Sequence, residues 1–378
     1  MRVLLVEGSG RGFLSHYSHA LGMGLQRAGI EVRLLTGRRD ELSDWPVPFH
    51  KHACLSTGYR AWRCVRAYVS EIQPDVVHLQ WVDNPFYALS FVRWAQRRGV
   101  RVVYTPHNIL PHERRWLLMP IFRQLYRRLD RVVARDAHLA WALEELLDMP
   151  QDRLVHLPGS PNFLALQALG KTVLPPCSGK RQGELRLLFF GHGCRRKGLE
   201  ELLTLIVQKT LSDRMHLIIA GENVLRGIPP DLLATAGCNM RITILDRYVA
   251  PVEVASLFQN SDLLLMPYTK QCKSPLLDLA AALRLPVLRS DRVQGADFQE
   301  GLHGATFPHD DIRAMCDWLK ETAWLEQAKR ELALLDDPLV SMDRLAAGHV
   351  RFYQNLKALR SAGVKDGPMS VAPAFTAR

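Results

Sequence analysis

The chain has 378 residues, 47% apolar and 23% charged, with a net charge of +11, a length that suits roughly two domains, each able to bury a full core. No apolar run approaches the roughly 20 residues that cross a bilayer, and Met1-Arg-Val-Leu-Leu-Val-Glu-Gly, soon interrupted by acid and glycine, reads as a first strand rather than a signal peptide. The seven cysteines are odd in number, scattered and without CxxC spacing, which points to a reduced, cytoplasmic, metal-free protein.

In chain order, a strand over residues 2–6 enters a glycine loop, Gly8-Ser-Gly-Arg-Gly. A helix over 14–28, stopped by Gly29, and a strand over 31–36 complete a βαβ opening. This is not the spacing of an NAD site. No third glycine is correctly placed after Gly8, Gly10 and Gly12, and the second strand ends in Gly37-Arg38-Arg39 instead of an acid. Two short strands follow, Asp75-Val-Val-His-Leu-Gln-Trp and Arg101-Val-Val-Tyr-Thr-Pro-His-Asn, placing His78, Gln80, His107 and Asn108 at strand ends. Ligands of open α/β sheets bind beyond such ends, so two strands delivering polar groups to one edge mark a candidate site. A further strand over 130–136 and Leu154-Val-His-Leu-Pro-Gly close a first domain at residue 165.

Residues 166–183 replace apolar periodicity with proline, glycine and lysine and read as a linker. The apolar run Leu187-Leu-Phe-Phe then leads into Gly191-His-Gly-Cys-Arg-Arg-Lys-Gly and a helical pattern from Leu199. Glycines let backbone approach a ligand, a helix start offers free N–H donors, and Arg195, Arg196 and Lys197 add charge. The combination suits a diphosphate; an ordinary strand-to-helix turn with solvated basic residues has the same pattern. Strands over 215–221, 241–245, 262–267 and 286–290 continue a second αβ series, with a helix over 276–283. The expected fold is α/β: two doubly wound, Rossmann-like domains, 1–165 and 184–340, facing a central cleft. A helix over 341–362 would cross back to the first domain, and the tail, 363–378, would be disordered.

The charge excess leans towards residues 1–165, which hold 22 Lys and Arg against 15 Asp and Glu. Two stretches, Tyr59–Tyr68 and Arg114–Arg131, mix arginine with Trp and Tyr in amphipathic patterns that fit an anionic membrane surface. Their apolar faces fit a protein core equally well. No nucleic-acid-binding motif accompanies them, so no nucleic acid is expected.

Over residues 1–360 these features resemble a GT-B glycosyltransferase of the large retaining group called family 4. The resemblance is carried by Phe189-Phe-Gly through Lys197-Gly, Ile219-Ala-Gly, the segments Val252–Tyr268 and Ser274–Val287, Thr105-Pro-His-Asn, and the glycine loop Gly8–Gly12. It implies a metal-independent hexosyltransferase without a cofactor. The donor would be a UDP- or GDP-linked nucleotide sugar, transferred with retention. The acceptor would be lipid-linked or a polysaccharide, in bacterial cell-surface or exopolysaccharide synthesis, at the inner membrane with peripheral association. His107 and Lys197 would be catalytic. Gly191, His192, Gly193, Arg195, Arg196, Gly221, Tyr248, Gln271, Ser274 and Asp278 would bind the donor, and Gly10, Gly12 and His16 would form the acceptor-side loop. Cleaving a sugar–diphosphate bond leaves negative charge on the diphosphate, which Lys197, an adjacent arginine and N–H groups at a helix start near Ser274 would stabilise.

Four positions depart from the family pattern. His192 stands where many members have arginine, and Arg284 stands where glycine is usual. Gln271 and Leu279 stand where many have two glutamates, and Asp278, one residue earlier, points about 100° away on an ideal helix. The competing expectations are a binding or scaffold protein that keeps the fold and a sugar-nucleotide epimerase.

Overall fold

The computed structural model describes residues 1–107, 115–159, 162–163, 180–208, 211, 214–295 and 298–361. Asn108, Arg114, most of the expected linker and the tail lie outside the described residues. Two compact units are present: Met1–Phe163 with the chain from Leu339 onward, and Leu164–Pro338.

The first unit runs β1 (Arg2–Val6), α1 (Gly12–Arg27), β2 (Glu31–Gly37), β3 (His50–Leu55), α2 (Tyr59–Ile72), β4 (Val76–Leu79), α3 (Pro85–Arg97), β5 (Arg101–Tyr104), α4 (Arg115–Arg128), β6 (Arg131–Ala134), α5 (Ala137–Leu147) and β7 (Leu154–His156). All strands are parallel, in the order β3-β2-β1-β4-β5-β6-β7. Parallel sheets are covered on both faces, hence the unbroken apolar strands such as Val3-Leu-Leu-Val. Trp62, Phe91, Phe122 and Leu143 from α2 to α5 fill one face. Tyr17 and Leu21 of α1 fill the other, together with Phe352 and Tyr353 of the C-terminal helix, Pro338–Ser361. That helix comes so close to α1 that a Cβ on Gly24 would lie 2.8 Å from Ala346 Cβ. β3 escaped the sequence reading because His-Lys-His-Ala-Cys-Leu is polar and largely exposed, as an edge strand tolerates.

The second unit runs β8 (Leu185–Phe190), α6 (Leu199–Val207), β9 (Met215–Ala220), α7 (Pro230–Asn239), β10 (Arg241–Leu245), α8 (Pro251–Gln259), β11 (Leu263–Met266), β12 (Cys272–Lys273), α9 (Leu276–Ala282), β13 (Val287–Ser290), β14 (Val293–Gln294), β15 (Gly304–Phe307), α10 (Arg313–Lys320) and α11 (Ala323–Ala333). The main sheet has the order β10-β9-β8-β11-β13-β15, and β12 pairs with β14. Successive residues of a strand face opposite sides. Leu187, Leu217 and Leu263 therefore enter one core, and Leu188, Ile218 and Leu264 the other.

In each unit the strand order reverses beside one central strand. The chain leaves β1 for β2 on one side and β4 lies on the other; β8 is likewise flanked by β9 and β11. Such switch points open a crevice at the carboxyl ends of the strands, where ligands of doubly wound sheets bind.

Candidate functional site

The second unit's switch point is built by glycines packed against neighbouring backbone and against the tip of Lys197. Gly191, directly after β8, has φ +118°, and a Cβ there would lie 2.2 Å from Lys197 Nζ. The lysine tip is thus laid across bare backbone, where Nζ donates to Phe190 O at 3.4 Å. The neighbouring glycines are tighter. An added Cβ would fall 2.3 Å from Gly191 O at Gly221, 1.8 Å from Asn223 O at Gly193 and 1.8 Å from Pro267 O at Gly198. Gly191 N–H donates to Ala220 O at 2.9 Å, pinning the turn to the end of β9. Residues Arg195–Lys197 form one 3₁₀ turn, and Gly198, with φ +75°, starts α6.

Lys197 is half-buried, and burial holds its ammonium below the usual lysine range; the nearby Arg196 adds to this while the Cys194 and Cys272 thiols oppose it. An anion brought beside it would replace lost hydration and restore the charged form. Tyr268 lies beyond, its ring centroid 6.0 Å from Nζ and its hydroxyl 3.4 Å from Ser274 Oγ. Ser274 is buried, and its N–H is directed at Gln294 O at 3.4 Å. α9 starts directly after Pro275, so Ser274 stands just before a helix start; its own amide is used within the protein and its hydroxyl faces Tyr268.

The remaining expected donor residues are spread around this centre. His192, Arg195, Arg196 and Gln271 are exposed, as is Tyr248, and Asp278 is half-buried on α9. Arg195 Nη2 sits 3.7 Å from Glu200 in an exposed ion pair. Leu279 is buried in the core, so no carboxylate occupies its place. Arg284, where glycine is usual, has φ +60°; it keeps the left-handed backbone that caps α9 and donates from Nη2 to Leu335 O at 2.6 Å and Asp336 O at 2.9 Å.

At the first unit's switch point the central group is Glu7, which the sequence reading passed over. It follows β1 and is fully buried. Its carboxylate accepts from Ser9 N–H at 2.5 Å, Gly10 N–H at 3.0 Å and the Thr36 hydroxyl at 2.8 Å. Burial raises its pKa, while these hydrogen bonds pull the other way. Gly10 has φ +69°, and a Cβ there would lie 2.7 Å from Arg39 O, so the loop requires glycine there. Gly12 begins α1 with open space around it and φ +64°. His16, one turn on, pairs with Glu41 at 3.2 Å.

His107 is buried, its Nε2 3.4 Å from Gln80 Oε1 and its ring edge-on to Phe13 and Tyr17 at 5.6 and 4.9 Å. Arg135, placed after β6 where Asp136 caps α5, lies over the same two rings at 5.1 and 5.5 Å. Burial pushes the Tyr17 hydroxyl up to about 12, with Arg135 opposing. The expected grouping of Gln80 and His107 is therefore present. His78 departs from it: it is fully buried, its Nδ1 2.5 Å from Tyr353 Oη and its Nε2 2.7 Å from Thr105 Oγ1, a structural histidine.

Two family models match the chain: Glycosyltransferase Family 4 over residues 14–159 and Glycosyl transferases group 1 over residues 184–322. No curated protein matches it. A crystal structure of a glycosyltransferase from Rickettsia africae is similar at 12% identity and TM-score 0.68, over 94% of this chain and 98% of that one. HepE of Anabaena, crystallised with UDP-glucose, is 14% identical with TM-score 0.65, over 93% and 100%. A UDP-GlcNAc 2-epimerase from Neisseria meningitidis, bound to UDP-GlcNAc, is 12% identical with TM-score 0.63, over 94% and 100%. At such identities the structures speak for the fold, and the two models, which between them take in most of the chain, speak for the family: the chain belongs to the GT-B glycosyltransferases, of the family 4 type.

Proposed function

We propose that this protein moves a hexose, with retention, from a UDP- or GDP-linked sugar to a lipid-linked or polysaccharide acceptor in the making of a bacterial surface or exopolysaccharide. The observation that carries this reading is Lys197, whose ammonium is suspended over Gly191 at a switch point. A leaving diphosphate there would meet that cation, with Arg196 and Arg195 able to approach from the exposed side of the turn. Fixed charge of this kind stabilises a developing oxyanion without reorganisation. No metal or cofactor enters the proposal. The Ser274 hydroxyl and Asp278 would hold polar groups of the donor, and Tyr248 would lie against the base. His107, steadied by Gln80, would serve at the transferred sugar, and the loop of Gly10, Gly12 and His16 would receive the acceptor. Titrating the purified protein with a panel of UDP- and GDP-sugars tests this; an absence of both binding and turnover across the panel would refute it.

We also infer that the basic side of the first unit rests on an anionic membrane from the cytoplasmic side. Helices α2, α3 and α4 together contain nine arginines and one acid, Glu71. Asn84 caps α3 so that Phe86 and Tyr87 emerge exposed beside Tyr59. Aromatic side chains next to arginines suit the headgroup layer. Among the described residues no helix is long and apolar enough to cross a membrane.

The second reading, a binding or scaffold protein, is favoured by Leu279 alone: the core takes the place where many relatives hold a glutamate. Binding of a nucleotide sugar with no hydrolysis or transfer would select it.

A further inference from the structure

The glycine loop before α1 has the composition of a phosphate cradle, yet its donors are already used. Ser9 and Gly10 give their N–H groups to Glu7, and Arg11 N–H goes to Ser9 Oγ at 3.3 Å. Gly12 N–H, at the head of a helix of 16 residues, goes to Glu41 Oε1 at 2.5 Å. Every N–H from Ser9 to Gly12 is thus committed to a protein acceptor. The place where a helix start would hold an anion contains the carboxylate of Glu41, whose side chain is 8% exposed. Glu41 is fixed in turn, its own N–H donating to Gly10 O at 3.0 Å.

The same carboxylate orders His16. An ionised carboxylate only accepts, so the 3.2 Å contact with His16 Nε2 places the ring proton on Nε2. In the neutral ring this makes Nδ1 the acceptor; it is buried and makes no hydrogen bond among the described residues. A sugar hydroxyl can give its proton to such a nitrogen without bringing charge, whereas a phosphate would carry negative charge up to the Glu41 carboxylate. Arg38 and Arg39 are exposed on the neighbouring loop and would draw an anion to the rim, but the loop itself presents carboxylates behind its amides.

We propose that Glu41 is a specificity-determining residue of the acceptor side: by filling the anion position at the head of α1 and orienting His16, it admits an uncharged sugar hydroxyl and excludes phosphate from the glycine loop. This rests on the reading of that loop as the acceptor side. The probe is inorganic phosphate, titrated to tens of millimolar into the ¹⁵N-labelled full chain and followed at the Gly10 and Gly12 amides. The native protein is expected to show no saturable shift there, while Glu41→Gln and Glu41→Ala show one, with phosphate binding at least tenfold tighter than native. A saturable shift of those amides in the native protein overturns the proposal, as does a folded Glu41→Gln or Glu41→Ala protein whose amides ignore phosphate. A merely structural role for Glu41 would not create phosphate binding when the carboxylate is removed. The titration uses neither donor nor acceptor. Inactivity across a nucleotide-sugar panel would therefore refute the enzymatic reading and leave this result standing.

Discussion

Tyr353, on the C-terminal helix, places its hydroxyl 2.5 Å from Nδ1 of His78 in β4, inside a core that excludes water from both. With the Thr105 hydroxyl on the other ring nitrogen, the imidazole is satisfied on both sides, and the final helix is keyed to the centre of the first sheet. Tyr353→Phe removes one partner and leaves a buried nitrogen unpaired, a loss of about 1–3 kcal/mol. A thermal melt of this variant should show the first unit destabilised; an unchanged melting temperature would mean that the helix is held by packing alone.

Acid should loosen the same unit. Burial holds His78 well below the ordinary histidine range and lowers His349 and His19 to about 4. In the unfolded chain each titrates near 6.5. Above that pH both states are neutral and nothing is lost. As pH falls from 6.5 towards 4, the unfolded state takes up protons that the folded state refuses, so stability declines by about 1.4 kcal/mol per pH unit for each such histidine. Melting temperatures taken across this window should fall, and His349→Gln should make the slope shallower. A flat profile contradicts the account.

Lys197→Ala should lower turnover by on the order of 10²-fold or more, with little change in stability. Gly191→Ala should imitate it. The new methyl would occupy the space of the ammonium, which is the end of a flexible chain and will move aside. The φ of +118° adds strain of about 1–3 kcal/mol. Gly198→Ala meets the Pro267 carbonyl instead, at 1.8 Å, and should damage folding first. Kinetics paired with denaturant melts separate the two outcomes.

Arg284 offers a test of a substitution against its own strain. Arg284→Ala keeps the left-handed backbone and loses the bonds to Leu335 O and Asp336 O, so it should be destabilising. Arg284→Gly loses the same bonds and relieves the φ of +60°, and should be more stable than the alanine variant by about 1 kcal/mol. Urea titration of both proteins gives the difference directly, and an alanine variant that equals or exceeds the glycine variant would refute the strain.

For the membrane proposal, flotation with anionic and with zwitterionic vesicles gives the measurement. The native chain should float with the former and lose association as salt is raised. Changing Arg93, Arg123, Arg127 and Arg128 to alanine should weaken it by on the order of 10³-fold, at about 1 kcal/mol per arginine near the surface. Undiminished binding would rule this face out as the contact.

Much of the architecture was legible in the residues. Buried parallel strands are written as unbroken apolar runs, so β1, β8, β9 and β11 can be read directly, and glycine-rich turns announce themselves by composition. Gly191, Gly193, Lys197 and Gly221 are close in sequence or end adjacent strands, and that is why they could be grouped before any coordinates. What only the tertiary structure decided is where long-range polar partners go. Glu7 and Glu41 look like ordinary surface acids in the sequence. They become organisers because β1 and β2 lie side by side, bringing Thr36 and the 38–41 loop over Gly10 and Gly12. His78 and His107 end similar strands and looked alike; one is consumed by Tyr353, 275 residues away, and the other faces Gln80 at the strand ends. Periodicity is local and survives in one dimension, whereas the partner of a buried charge or ring nitrogen is chosen by strand order, which no short stretch of the chain contains.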